Sequence, residues 1–197
     1  MQGLADGYFV LPYTIGDYLA DDIRTGPIST DAPEFEAAEQ EIREKINALM
    51  NNKGGKTVDD YHRKLGKIIW NKCGMSRNEA GLNEAIEEVR ALREDFYKNV
   101  TVPGTADSFN ESLAKALRVA DFLELGELFA KDALERTESC GGHFREESQS
   151  PEGEALRNDD EFTFVSAWEY TGDPGASKLH KEALDFENVE LKTRSYK

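Results

Sequence analysis

The sequence has little cysteine and a deficit of positive charge. Its 197 residues contain two cysteines, Cys73 and Cys140, too few for a disulfide framework or a cysteine metal knuckle. Lys and Arg total 24 against 39 Asp and Glu, which gives a formal net charge of −15 at pH 7. Binding to nucleic acid or to an anionic membrane needs clustered cations. The composition therefore argues against a nucleic-acid partner and predicts a reduced, cytoplasmic protein.

Long hydrophobic runs are also missing. The main apolar stretch near the start, residues 8–15 (YFVLPYTI), has about eight residues, whereas a membrane-spanning helix needs roughly twenty. It lacks the basic region and the cleavage site of a secretory signal. Two interpretations stay open on composition: the end of a buried element whose upstream sequence is absent, or an N-terminal arm folded onto the chain's own core.

Signatures of catalysis and of cofactor binding are absent from the sequence. Neither glycine pattern that cradles phosphates is present, because the glycines of residues 53–56 (KGGK) follow no predicted strand. His62, His143 and His180 lie far apart, so we predict no metal site. Ser139 and Cys140 lie near His143, but proximity along the chain establishes neither a positioned base nor an oxyanion site. We assign no catalytic, cofactor-binding or metal residue.

Four stretches have the apolar periodicity of amphipathic helices. The first begins after a cap at Thr30 or Asp31, the second opens at Thr57, and the fourth covers residues 108–137. Residues 120–129 of the fourth are apolar on nearly all sides, which predicts a central position among the helices. The predicted buried stripes of the first three are Phe35, Ala38, Ile42, Ile46 and Leu49; Val58, Tyr61, Leu65, Ile68 and Ile69; and Leu82, Ala85, Val89, Leu92 and Phe96.

The character of the sequence changes at Glu138. A long polar loop leads to residues 162–170 (FTFVSAWEY), whose aromatic and β-branched side chains predict a strand. A turn cluster and a weaker strand over residues 179–191 predict a hairpin. The fold class is therefore mainly α, an antiparallel helical bundle (spectrin-repeat-like) followed by a small C-terminal β-hairpin subdomain.

The most specific segment is residues 138–147 (ESCGGHFREE), directly after the last helix. Its glycine pair permits backbone geometry that is closed to other residues. His143 and Arg145 alternate around Phe144, so an extended backbone would point both side chains the same way. Two interpretations stay open: an ordered loop in which Arg145 ties the helix end to the hairpin, or a contact to another domain or subunit.

This segment resembles the flavoprotein subunit of succinate dehydrogenase and fumarate reductase, in which the last long helix leads into E-S-R-G-A-H-x-R-x-D/E. Here Cys140 replaces the arginine and Gly142 the alanine of that pattern. Leu123-Glu124-Leu125 resembles the family's LEL segment, residues 162–170 stand where its following strand stands, and Thr193-Arg194-Ser195-Tyr196 resembles its terminal R-S/T-Y. The resemblance covers the whole chain but only the C-terminal third of the family.

The resemblance implies a domain division. Residues 1–31 are expected to be a remnant of the helix that closes the flavin-binding domain, with a linker. Residues 32–137 are expected to be the helical bundle, and residues 138–197 the motif loop and hairpin tail. His143 and Arg145 match motif positions and are implied to be interdomain or structural contacts. Cys140 departs from the motif; it is a further candidate interdomain contact and leaves open whether one of the usual contacts is lost.

The resemblance also implies a parent enzyme that interconverts succinate and fumarate. FAD would belong to the parent subunit, with no cofactor in this chain, which would itself be catalytically inert. The implied partners are the upstream flavin-binding and capping domains, an iron–sulfur subunit, and a membrane only through a cytochrome b subunit, at the cytoplasmic face of the inner membrane. The alternatives are the C-terminal domain of L-aspartate oxidase and a free-standing acidic helical interaction module.

Overall fold

A computed structural model describes residues 2–192, which divide into two compact units, one up to Glu44 and one from Lys45 onward. The terminal segment Thr193-Arg194-Ser195-Tyr196 lies outside the described residues. The domain boundaries implied by the resemblance, after residues 31 and 137, remain predictions.

The first unit opens with a helical segment from Gln2 to Tyr18 in which α and π turns alternate. Leu19 ends it, because its backbone (φ −97°, ψ 12°) leaves the helical region. The large apolar side chains of this segment, such as Tyr8, Phe9 and Leu11, are exposed. The elements in order are α1 (Gln2–Ala5), a π-helix (Asp6–Val10), α2 (Leu11–Tyr13), a second π-helix (Thr14–Tyr18) and α3 (Ala20–Ile23).

Four long helices follow, as the sequence predicts. They are α4 (Pro33–Asn51), which crosses from the first unit into the second, α5 (Val58–Lys72), α6 (Glu79–Asn99) and α7 (Glu111–Glu135). A parallel pair of two-residue strands, β1 (Lys56–Thr57) and β2 (Val100–Thr101), precedes α5 and follows α6. The fourth helix is shorter than predicted, because Asn110 caps it by accepting from the Leu113 N–H at 3.0 Å.

The predicted start of α5 at Thr57 is confirmed by a reciprocal cap. Thr57 Oγ1 accepts from the Asp60 N–H at 3.2 Å, and Asp60 Oδ2 accepts from the Thr57 N–H at 2.9 Å. This capping box satisfies two donors that the first helical turn leaves unpaired. The Thr57 hydroxyl also donates to Asp60 Oδ2 at 2.8 Å, and this bond, together with the one from the Thr57 N–H, lowers the pKa of Asp60.

The core of the second unit lies where α5, α6 and α7 pack together. The seam predicted on α6 is confirmed, since all five of its side chains are buried. Of α4, only the second half contributes, through the buried Leu49 and the partly buried Ile46 and Met50. The predicted stripe of α4 is wrong over its first half, where Phe35 and Ile42 are exposed.

The prediction that α7 is covered on nearly all sides is wrong. Leu123 and Ala130 are fully buried against the neighbouring helices. Leu125 is 59% exposed and Phe129 45% exposed. Two neighbouring helices cover one side of α7, and the hairpin covers only part of the other.

A hairpin of β3 (Phe164–Glu169) and β4 (Lys178–Ala183) completes the described chain, after α8 (Asp159–Phe162). The strands are antiparallel, with Phe164 opposite Ala183 and Glu169 opposite Lys178. The second strand ends well before the predicted residue 191. Burial alternates along β3, as expected of a strand with one face packed and one face in solvent. The predicted helical fold followed by a small antiparallel hairpin is confirmed.

One carboxylate is fully buried between α6 and α7. Glu127 accepts from Arg90 Nε at 2.7 Å and from Arg93 Nη1 at 2.6 Å, one arginine on each oxygen. The arginines are three residues apart on α6, so both reach the same point across the interface. Burying a charge is tolerated only when it is paired in this way.

We predict that Glu127→Ala lowers the free energy of unfolding by roughly 2–4 kcal/mol, because it leaves Arg90 and Arg93 without their shared partner. Urea denaturation followed by circular dichroism measures this. The matched control is Asp121→Ala on the exposed side of the same helix, which should change stability by no more than about 0.5 kcal/mol. Equal effects of the two substitutions would contradict the role given to Glu127.

Candidate functional site

The loop of residues 138–147 begins with a tight turn between Cys140 and His143. The two residues exchange backbone hydrogen bonds, Cys140 N–H to His143 O at 2.9 Å and His143 N–H to Cys140 O at 3.0 Å. Gly141 has a φ of +60°, a conformation that L side chains rarely adopt. Gly142 has no positive φ, and a Cβ there would meet nothing within 4 Å. Only the first glycine is therefore required by the turn.

Arg145 is 2% exposed and caps the carboxyl end of α7. Its Nη1 donates to the carbonyl oxygens of Ala133 and Leu134 at 3.1 Å and of Arg136 at 3.3 Å. The last carbonyls of a helix have no partner within the helix and carry the negative end of its dipole. The buried guanidinium of Arg145 donates to these carbonyls and places a positive charge at the negative end of the helix.

Ser139 fixes the backbone on which Arg145 is carried. The hydroxyl of Ser139 accepts from the Arg145 N–H at 2.8 Å and donates to the Arg145 carbonyl at 3.2 Å. Because both hydrogen-bonding roles of the hydroxyl are taken by the backbone, Ser139 has a structural position.

His143 joins the ends of two helices. Its Nδ1 lies 2.8 Å from Nη1 of Arg77, a residue that precedes α6. Its Nε2 lies 2.8 Å from the carbonyl oxygen of Arg136, the residue that follows α7. A guanidinium only donates and a carbonyl only accepts, so these partners assign a neutral imidazole with its proton on Nε2. Burial lowers the pKa of His143, and the nearby charges of Arg77 and Arg145 lower it further.

The predicted common direction of His143 and Arg145 is confirmed, since both side chains reach the Arg136 carbonyl. With both ring nitrogens engaged, His143 is not placed as a base for Cys140.

The second half of the loop holds the start of α6. Glu146 accepts from Ser76 Oγ at 2.7 Å and from Asn78 Nδ2 at 2.8 Å, and these bonds lower its pKa. Glu147 accepts from the Glu79 N–H at 2.6 Å. Burial raises the pKa of Glu147, but the Glu79 N–H and Arg145 outweigh it, and the net shift is downward. Both carboxylates thus lie at the positive end of a helix.

The hairpin is held by a residue that sequence reasoning missed. Arg136 donates to the carbonyl oxygens of Phe162 and Phe164 at 3.2 and 3.3 Å. It also pairs with the buried Glu138 at 2.7 Å, whose second oxygen accepts from the Asn158 N–H at 2.7 Å. The prediction that Arg145 ties the helix end to the hairpin is therefore wrong, because Arg136 makes that connection. The sequence signal for this role is a cation at the C-cap of α7, two residues before the motif.

The three predicted contact residues differ in accessibility. Cys140 is exposed, His143 is half-buried, and Arg145 is buried.

The remaining cysteine and histidines lie apart from the loop. Cys73 is buried at the end of α5, and burial raises the pKa of its thiol. His62 is exposed against the Phe122 ring, and His180 lies 2.6 Å from Glu169 on the hairpin. Among residues 2–192, no group of three His, Cys, Asp or Glu side chains is arranged to hold a metal.

The fold and this loop define a class of protein, a mainly helical domain whose last long helix is capped by a cross-linked loop and followed by a hairpin. The chain belongs to the family described as "Fumarate reductase flavoprotein C-term", because the sequence model of that family matches residues 62–196. The matched region is more than half of the chain and contains the whole loop. The predicted relation to fumarate reductase and succinate dehydrogenase flavoproteins is confirmed.

Curated relatives carry the same names. The fumarate reductase flavoprotein subunit of Helicobacter pylori is 30% identical over 131 residues, covering 66% of this chain and 18% of the relative. The succinate dehydrogenase flavoprotein subunit of Rickettsia bellii is 26% identical over 169 residues, covering 86% and 26%. The chain thus matches about a fifth to a quarter of the length of these relatives.

A solved structure described as quinol–fumarate reductase with menaquinol molecules has the same fold. Its TM-score is 0.70 at 24% identity, covering 85% of this chain and 28% of that one. In the part of the chain that the structure describes, no helix has the length and apolar character needed to cross a bilayer.

We predict that Arg145→Lys lowers the free energy of unfolding by about 1–3 kcal/mol, because a point-like ammonium cannot reproduce the guanidinium bonds to three carbonyls. Thermal and urea denaturation measure the loss. Arg118→Lys on the exposed face of α7 is the control and should be nearly neutral. An unchanged stability of Arg145→Lys would show that the carbonyl contacts contribute little.

The depressed pKa of His143 predicts a pH dependence of stability. In the unfolded chain the imidazole titrates near its ordinary value of 6.5 and binds protons that the folded state does not. The stabilising contribution of the neutral His143 should therefore be complete above that pH. The free energy of unfolding should fall as the pH drops toward the folded-state pKa.

Urea midpoints measured at a series of pH values test this, and His143→Gln should flatten the acid limb of the profile. His62→Gln is the matched control, because it removes an exposed imidazole without touching the loop. An identical profile for His143→Gln and the unmodified chain would contradict the assignment of a neutral, buried imidazole.

Proposed function

We propose that the chain is the C-terminal helical domain of a flavoprotein subunit that interconverts succinate and fumarate with FAD and passes electrons to an iron–sulfur subunit. The observation that carries the proposal is the family match over residues 62–196. In this proposal the domain itself performs no redox step. It supports the flavin-binding and capping domains of the same subunit, and a membrane is met only through a cytochrome b subunit at the cytoplasmic face of the inner membrane.

The residues of this domain do not fit FAD. A dinucleotide is held by a glycine-rich turn between a strand and a helix, with the pyrophosphate at the helix N-terminus. A cavity of about 590 Å³ beside α7 is lined mainly by apolar side chains together with Asp132. A carboxylate beside an apolar floor repels a pyrophosphate. We therefore propose that FAD binds to the upstream domains.

The loop after α7 is suited to a supporting role. Its side chains cross-link the start of α6, through Glu147, and the end of α7, through the buried Arg145, while the turn at Cys140 is exposed. We propose that this turn contacts a neighbouring domain and that His143 and Arg145 hold it in position from below. In this arrangement the turn is a rigid contact surface, and the loop contributes no catalytic group.

The exposed N-terminal helix supports the same proposal. Between Gln2 and Tyr18 the large apolar side chains lie in solvent, including Tyr8, Phe9 and Leu11. Contiguous apolar surface of this kind marks an interaction site. We propose that the flavin-binding domain covers this helix, in keeping with the remnant implied for residues 1–31.

A complementation experiment tests the proposed function. The Rickettsia bellii flavoprotein subunit is truncated before the region aligned with this chain and is co-expressed with the complete chain. We expect the two polypeptides to co-purify and to restore FAD-dependent succinate oxidation, measured by dye reduction. The double substitution Phe9→Asp and Leu11→Asp should abolish the association, whereas Asp107→Ala, in an exposed loop, should not. If the unmodified chain neither associates nor restores turnover, the proposal fails.

A further inference from the structure

The uncovered face of α7 forms one wall of a groove beside the hairpin. Two adjoining cavities of about 590 and 440 Å³ lie along it and share Leu125, Leu128 and Trp168. We call this continuous depression the α7 groove. The shared residues show that the cavities are two parts of one surface.

The wall of the α7 groove is fixed in place. The indole N–H of Trp168 donates to Asp132 at 2.8 Å, and the Lys131 ammonium lies 5.3 Å from the centre of the indole ring. Lys131 is itself held by Ser177 Oγ at 2.7 Å. A partner would therefore meet a preformed apolar surface, which reduces the entropy lost on binding.

The dimensions and chemistry of the groove favour a helix as its occupant. From Asp121 to Asp132 the α7 wall is about 17 Å long, or roughly three helical turns at 1.5 Å per residue. The backbone groups of α7 are already paired within the helix, so this wall offers side chains rather than donors and acceptors for an added strand. A helix satisfies its own backbone and can insert apolar side chains at i, i+3 and i+4.

The charged residues that line the groove are acidic, whereas two cations, Lys131 and Arg77, lie against the rings of Trp168 and Phe129. Asp121 and Glu124 line the smaller cavity, and neither carboxylate forms an ion pair within residues 2–192. Asp132 lines the larger cavity, and no Lys, Arg or His is among the described residues that line either one. An apolar floor with acidic margins is complementary to apolar side chains flanked by cations.

We propose that the α7 groove binds an amphipathic helix of about three turns from a partner protein, with an apolar face and Lys or Arg on its flanks. Leu125 and Phe129 contact the apolar face, and Asp121 and Glu124 contact the cations. No residue of the loop 138–147 lines the groove, although Phe129 lies 4.9 Å from Arg77, which contacts His143 of that loop. The proposed site does not depend on the proposed redox function.

Fluorescence anisotropy with two synthetic peptides tests the proposal on the complete chain. Both peptides have about 14 residues and the same leucine face at helical spacing; one has lysine and the other glutamate on the remaining face. We expect the lysine peptide to bind at least about tenfold more tightly than the glutamate peptide. The double substitution Leu125→Gln and Phe129→Gln should weaken its binding by about tenfold or more. Both side chains are substantially exposed, so circular dichroism should show an unchanged fold.

Charge reversal separates the groove from general attraction to an acidic protein. Asp121→Lys with Glu124→Lys should weaken the lysine peptide and strengthen the glutamate peptide. The control, Glu87→Lys with Asp107→Lys, makes the same change in net charge away from the groove and should have a much smaller effect.

Equal losses in the two charge variants, or no response to the Leu125 and Phe129 substitutions, would overturn the proposal. Self-association of the chain that is abolished by the groove substitutions would overturn it too, because a second copy would then be the occupant.

Discussion

The buried guanidinium of Arg145 is the interaction on which the loop of residues 138–147 and the end of α7 depend. Three carbonyl oxygens at the end of α7 accept from one of its nitrogens. Removing a guanidinium from water carries a large desolvation penalty unless nearly all its donors are matched. Here Glu147 adds a charged partner at 3.1 Å on Nε. The loop is therefore ordered because its central charge has no comparable environment outside this arrangement.

The loop places its charges according to the polarity of the two helices it joins. Because α6 and α7 are consecutive and antiparallel, the start of α6 lies beside the end of α7. The loop offers carboxylates, Glu146 and Glu147, to the positive start of α6, and Arg145 and His143 to the negative end of α7. One segment of ten residues thus stabilises two helix termini, the start of α6 and the end of α7, at one end of the helical pair. The alternation of side chains along an extended backbone makes this possible without a longer loop.

The sequence predicted the packed seams more accurately than the polar network or the open surface. On α6 the three-four spacing identified five of the six buried side chains and missed only Ile86, because a helix packed against two others must bury one continuous stripe. On α7 the apolar residues occupy more than one stripe, and periodicity does not show whether another helix of the chain or a partner covers the second stripe. Glu127 escaped prediction for a related reason. Its partners, Arg90 and Arg93, are on another helix, so no local spacing links them to it.

The two departures from the family pattern fall where the domain makes no use of a side chain. Position 142 holds glycine in place of alanine, and the space around it is open. Position 140 holds cysteine in place of arginine, with its backbone paired and its side chain in solvent. The matching positions Ser139, His143 and Arg145 instead have side chains engaged inside the domain. Internal packing therefore constrains the matching positions and leaves positions 140 and 142 free to vary.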